Sequence, residues 1–240
     1  MAIVCNELLG RELLKIYQDT ESFNFSIDSL LLGNFATITS NTKKICDLCT
    51  GNAPVPLYLS LRTNAKIVGV EVQEASYKLA SMSVLENNKE NQIELILGDL
   101  KGMHKNIKGF DLVTCNPPFF MVGSSKINPS DAKAIARHEI LATLDDIVLE
   151  ASRLCKSKGR FAMVHRPDRL VEILMTFKKY KIEPKRLQFI YPKSGSEANH
   201  ILIEGIKDGC EGNLVILDPL YVYGEDNKWT KEILKIYNYE

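Results

Sequence analysis

From residue 44 onward, short apolar runs alternate with stretches of helical spacing, and no other feature of the chain restricts its fold as much. KICDL, KIVGVEV, IELILGDL, GFDLVTC, GRFAMVH, RLQFIY and NHILIEGI read as strands. PVPLYLSLR and EASYKLASMSVLENN read as helices, as do the regions around residues 145–156 and 168–180. Strands alternating with helices imply parallel pairing through right-handed crossovers, an α/β architecture with a doubly wound, mostly parallel sheet covered on both faces. Only YPKSGSEAN links the last two strands, too little for a crossover helix, so they are expected as an antiparallel hairpin closing one edge. Upstream, residues 14–25 read as two short strands around a polar turn. The stretch SIDSLLLGNFATI follows as a helix with Ser26 or Asp28 as its N-cap. The expected organisation is an extension over residues 1–43, one core domain over 44–223, and a tail over 224–240 containing a polar turn and an amphipathic helix.

A chain of 240 residues buries enough surface to fold without disulfides or metal. With 45% hydrophobic and 25% charged residues it is an ordinary globular composition, which excludes disordered, collagenous and disulfide-scaffold classes. Charges interrupt every apolar run before it reaches membrane-spanning length, and Glu7, Arg11 and Glu12 stand where a signal peptide would be apolar. Six cysteines lie scattered in apolar segments, as reduced buried thiols do, so the expected location is cytoplasmic. Cys46 and Cys49 make a C-x-x-C pair, but no second pair completes a zinc site, and no metal is expected.

In open α/β sheets ligands bind beyond the carboxyl ends of the central strands. Three such ends carry unusual residues. Asp47-Leu48-Cys49-Thr50-Gly51-Asn52-Ala53 leaves the first strand with small residues that admit a close ligand. Glu71 ends the second strand 20 residues after Gly51, the spacing at which an acid meets ribose hydroxyls. Asp99, after Gly98, ends the third and can accept from an adenine amino group. Alone, each acid is as readily a helix cap. No G-x-G-x-x-G loop is present for a pyrophosphate, so together they fit a nucleoside such as S-adenosylmethionine. A fourth strand runs into Asn116-Pro117-Pro118-Phe119-Phe120. The prolines remove backbone donors beside the Pro117 carbonyl, and the Asn116 side chain adds a second acceptor. Two acceptors on a rigid turn can hold both hydrogens of an amino group, with Phe119 as a stacking face. The plainer alternative is a Pro-Pro turn that merely ends a strand.

These motifs resemble those of class I S-adenosylmethionine-dependent amino methyltransferases. Phe25-Ser26-Ile27-Asp28-Ser29-Leu30-Leu31-Leu32, Arg137-His138-Glu139 and Ala198-Asn199-His200 narrow the likeness to the tRNA1(Val) adenine-37 methyltransferase family. The resemblance covers roughly residues 14–223. It implies S-adenosyl-L-methionine as cofactor, held by Asp28, Asp47, Cys49, Gly51, Asn52, Ala53, Glu71, Val72, Asp99, Leu100 and Asn116. It implies Asn116, Pro117, Pro118 and Phe119 as catalytic residues. Phe119, Arg137, His138, Arg166 and Lys193 are the implied substrate contacts. One departure stands out: Ala53 occupies the place of the family's second glycine, and its methyl narrows the cofactor loop. His138 is equally readable as a helix-opening residue paired with Glu139, and no general base is required of it.

The implied partner is tRNA, with a single-stranded anticodon-loop adenosine that leaves its stack more cheaply than a duplex base. Overall charge is balanced at 30 basic and 30 acidic residues, yet residues 150–193 hold twelve basic against four acidic ones, a net +8. Such a segment suits phosphate contacts, although lysines on helix backs are usually plain solvated surface. Other readings of the same motif are guanine-N2 methylation of ribosomal RNA and methylation of a protein glutamine. A non-catalytic RNA-binding protein that retains the fold is the reading from another class.

Overall fold

Strand β3 (Lys44–Leu48) is buried on both faces after its first residue, the signature of a central parallel strand. In the computed structural model, which describes residues 3–10, 13–19, 27–117 and 142–238, β3 lies in the middle of a nine-stranded sheet. On one side stand β4 (Lys66–Glu71) and β5 (Ile93–Leu97); on the other stand β6 (Phe110–Cys115) and β7 (Cys155–His165), all parallel. Helices α2 (Pro54–Arg62), α3 (Glu74–Glu86), α4 (Leu144–Leu154) and α5 (Leu170–Lys179) supply crossovers and cover the faces. Pro54 opens α2 at a position where its missing N–H costs nothing. Thr143 and Asp146 form a reciprocal capping box that starts α4. Two apolar cores result, one on each face, as the doubly wound architecture requires.

The hairpin of β8 (Ile182–Tyr191) and β9 (His200–Lys207) is antiparallel as expected, but it does not close the sheet. Strand β9 inserts between β7 and β8, antiparallel to both. Two-residue strands β10 (Val215–Ile216) and β11 (Leu220–Tyr221) then pair with the outer edge of β8. These pieces are too short to announce themselves by alternation.

The N-terminal hairpin also departs from expectation. Its strands are β1 (Ile3–Leu9) and β2 (Leu14–Asp19), not two halves of residues 14–25. Exposed Asn6 and Glu7 break the apolar reading of β1, and only Leu8 and Leu9 at its end are buried. Helix α1 (Ile27–Phe35) holds Asp28 inside its first turn, so Asp28 is not its cap; Ser26, the other candidate, lies outside the described residues. The tail helix α6 (Lys231–Ile236), capped by the Thr230 hydroxyl, docks beside the hairpin. There Gly10 N–H donates to the Tyr237 carbonyl at 2.8 Å, and Trp229 packs on Tyr237 with ring centres 4.5 Å apart. Among the described residues no helix is long and apolar enough to cross a membrane.

Candidate active site

Register puts the implied residues on one edge. Leu48 pairs with Val70 on one side and Cys115 on the other, so the loop after β3, Glu71 and Asn116 all begin at one level. Glu71 in turn pairs with Leu97, two residues before Asp99. The loop after β3 turns sharply, with Cys49, Gly51 and Ala53 all left-handed at φ 56°, 59° and 71°. A Cβ added to Gly51 would meet nothing within 4 Å, so this loop presents an open side. Ala53 is the reverse case. It adopts a conformation that a glycine would take freely, with its methyl wholly buried in the core.

Glu71, buried at the end of β4, spans the edge. Its Oε2 accepts Gly51 N–H at 2.8 Å and its Oε1 accepts Gln73 N–H at 2.8 Å. Asp47 is directed inward, and its oxygens accept the hydroxyls of Thr114 and Thr50, both at 2.6 Å. Gly69 on β4 makes room for Thr50, whose hydroxyl would lie 2.9 Å from any Cβ there. Burial lifts the Asp47 carboxyl to about 7 against the pull of the two hydroxyls, with Glu71 adding to the rise. Asn52 spends its Nδ2 on the Tyr17 carbonyl, joining the loop to β2. Asp99 is exposed and accepts Lys101 N–H at 2.9 Å; Val72 is exposed, whereas Leu100 is buried with Met103 and Phe110 in one core.

Asn116 leaves β6 with its Nδ2 donating to Ser29 Oγ of α1 at 2.9 Å. Beside Ser29, the buried Asp28 carboxylate lies 3.3 Å from His200 Nδ1 at the start of β9. His165 ends β7 nearby, opposite Ile201, and accepts Arg166 N–H on Nδ1 at 2.8 Å. Burial lowers its pKa to about 4, helped by Arg169, so it is neutral at pH 7. Sequence reasoning gave no role to Ser29, Thr50, Thr114 or His165. Only the Asn-His pair before the last strand hinted at His200. Pro118, Phe119, Arg137 and His138 lie outside the described residues.

The basic segment is not the free platform that its net charge suggests. Arg160 and Arg186 are turned toward the fully buried Glu204, with Nη1 at 2.8 and 3.6 Å. Lys156 pairs with Asp111, Lys179 with Asp145, and Lys178 with Glu183 and Glu211. Lys158 and Lys185 donate to backbone carbonyls. Arg153, Arg166 and Arg169 face Glu150, Asp168 and Glu172. Of the twelve basic residues of the segment, only Lys181 and Lys193 keep side chains without such a partner among the described residues, and Lys193 follows the end of β8 on the edge that carries Asn116. Four of the eight acids, Asp111, Asp145, Glu204 and Glu211, were invisible to the count because they lie outside the window.

Residues 39–223 match the Methyltransf_31 family, described as a methyltransferase domain. The chain belongs to the methyltransferase domain family. This methyltransferase is 28% identical over 188 residues to the tRNA1(Val) (adenine(37)-N6)-methyltransferase of Phocaeicola vulgatus, covering 78% of this chain and 79% of the relative. Its fold matches the crystal structure of a predicted O-methyltransferase, protein Atu636 from Agrobacterium tumefaciens. The TM-score is 0.70 at 19% identity, over 88% of this chain and 95% of that one. A structure of geranyl diphosphate methyltransferase in complex with SAM gives a TM-score of 0.57 at 11% identity, over 75% and 84% of the two chains. Both likenesses show the class I methyltransferase fold that the resemblance of the motifs implied.

Proposed function

We propose that this methyltransferase uses S-adenosylmethionine to methylate the exocyclic N6 amino group of an adenosine in tRNA, adenosine 37 of tRNA1(Val) first among candidates. The observation that carries the reading is Asn116, held at the end of β6 with its amide nitrogen occupied and its Oδ1 left to accept. The neighbouring strand ends fit the cofactor. Gly51 faces open space, and Glu71, buried and tied to the loop, places a carboxylate at the strand end where ribose hydroxyls would lie. Relatives named tRNA1(Val) (adenine(37)-N6)-methyltransferase, among them the Phocaeicola vulgatus protein, support tRNA as substrate.

When bound, S-adenosylmethionine supplies an electrophilic methyl group on its sulfonium. The chain has to hold an amine whose lone pair is conjugated into the purine. Asn116 Oδ1 and the Pro117 carbonyl accept its two hydrogens, which favours a pyramidal nitrogen and fixes its direction. That is catalysis by orientation and electrostatic preorganisation. The methylated nitrogen is acidic enough to give its extra proton to water, so no residue here needs to act as a strong base. Lys193, on the same edge and with no ammonium partner among the described residues, is a contact for a substrate phosphate, and Arg166, half-exposed after β7, is a second.

The test is transfer of labelled methyl from S-adenosylmethionine to unmodified total tRNA, followed by nucleoside analysis, with Asn116→Ala run alongside. N6-methyladenosine formed by the wild type and not by the variant is the expected result. A folded, cofactor-binding protein that labels ribosomal RNA or a protein glutamine but no tRNA would overturn the assignment.

A further inference from the structure

A terminal amide has two nearly equivalent orientations, because the last torsion of asparagine is broad and two-fold. Only one is productive at Asn116. With Oδ1 toward the target amine the contact is acceptor to donor; turned over, Nδ2 would oppose the amine's own hydrogens. In the structure Asn116 takes the productive orientation, with its Nδ2 donating to Ser29 Oγ at 2.9 Å across 87 residues of sequence. Ser29 is buried, at 4% exposure, in the first turn of α1. A serine oxygen carries two lone pairs, so it can accept from the amide while its own hydrogen points elsewhere. The turn that carries it is itself anchored, because the adjacent Asp28 carboxylate lies 3.3 Å from His200 Nδ1 on β9. An element far upstream of the methyltransferase motifs thus reaches the side chain on which the amine depends.

We propose that Ser29 is a positioning residue for methyl transfer: its hydroxyl holds the Asn116 amide nitrogen and thereby aims Oδ1 at the amine. This rests on the assignment of Asn116 to the amine-holding site. Ser29→Ala deletes one oxygen from a packed helix and leaves the fold in place, so steady-state kinetics on unmodified tRNA can be read directly. The expected result is a fall in kcat of about 10- to 100-fold, the scale of a misplaced reacting group, with KM for cofactor and for tRNA unchanged. A second background separates orientation from packing. In Asn116→Asp both oxygens are acceptors and there is no orientation to hold, so adding Ser29→Ala costs less than about twofold there. An unchanged kcat in Ser29→Ala, where Asn116→Ala loses activity, overturns the proposal. So does an equal loss in both backgrounds, which would mark Ser29 as packing alone. Failure of the underlying assignment looks different: Asn116→Ala would itself keep the wild-type rate, and the role of Ser29 would fall with it.

Discussion

Glu71 Oε2 and the backbone N–H of Gly51 meet at 2.8 Å across the ends of two adjacent strands, so the acid proposed to hold the cofactor also holds the loop beside it. Replacing it by glutamine turns one oxygen into a donor that opposes either Gly51 or Gln73. Glu71→Gln is expected to weaken cofactor binding by about tenfold or more, the loss of a charge-assisted hydrogen bond of about 1.5–3 kcal/mol. Isothermal titration with S-adenosylmethionine measures it, and an unaltered affinity would remove Glu71 from the site.

The loop stores backbone strain unevenly. Gly51→Ala places a Cβ at φ 59° in open space, so its cost to the free protein is conformational only, about 1–2 kcal/mol. The added methyl points where the cofactor is expected, and affinity should fall further than stability does. Ala53→Gly relieves the same conformation but forfeits a buried methyl worth about 0.8 kcal/mol, so its melting temperature should change little. Thermal melts with and without cofactor separate the two effects.

Asp47 gives the fold a pH dependence of known sign. Its carboxyl ordinarily ionises near 3.8 and sits at about 7 in the protein because it is buried. Between these values the folded chain keeps a proton that the unfolded chain has released. Its contribution to stability is therefore complete at low pH and declines as pH rises through 7. Asp47→Asn cannot titrate, and relative to wild type it should gain about 2–3 kcal/mol of stability between pH 5 and pH 8. His165, lowered to about 4, tilts stability the opposite way below its ordinary 6.5, but it is common to both proteins and cancels in the difference. Denaturant midpoints that stay a constant distance apart across this range would contradict the Asp47 account.

Glu204 is expected to be structural despite its arginine partners. It is fully buried and accepts Thr37 N–H at 2.7 Å and Thr37 Oγ1 at 2.8 Å, with Arg160 at 2.8 Å. Arg186 stacks on Phe35 and donates to its carbonyl at 2.9 Å. Removing Glu204 leaves two partly exposed arginines and the Thr37 donors without their acceptor, and Glu204→Ala should cost about 2–3 kcal/mol. Chemical denaturation measures this, and a loss below 1 kcal/mol would mean that the arginines find other partners.

Phosphate contact can be assigned through salt. Lys193→Ala should lower tRNA affinity and flatten the slope of log K against log salt by about 0.7–0.9, one released counterion. Lys178→Ala and Lys179→Ala remove charges already matched by Glu183 and Asp145 and should leave that slope nearly unaltered. A slope that responds to the two helix lysines and not to Lys193 would reverse the placement of the RNA.

The sheet and the three strand ends proposed for the cofactor were legible because each is local. A buried run, a small-residue loop and an acid 20 residues on can all be read within a short window. The links between them were not. Ser29 meets Asn116, Asp28 meets His200, and Thr114 meets Asp47 across 67 residues or more. Nothing in the local pattern of either partner announces such a meeting. The +8 segment misled for a related reason. Net charge along a window is not charge on a surface, and Asp111, Asp145, Glu204 and Glu211 return to offset it from elsewhere in the chain.

The central claim is methylation of one adenosine amino group in tRNA, and position mapping tests it most directly. Purified protein and S-adenosylmethionine would be incubated with a tRNA1(Val) transcript and with the same transcript carrying guanosine at position 37. Incorporation of N6-methyladenosine into the first and none into the second is the predicted result. Equal methylation of both transcripts, or label recovered only in a nucleoside other than N6-methyladenosine, would contradict it.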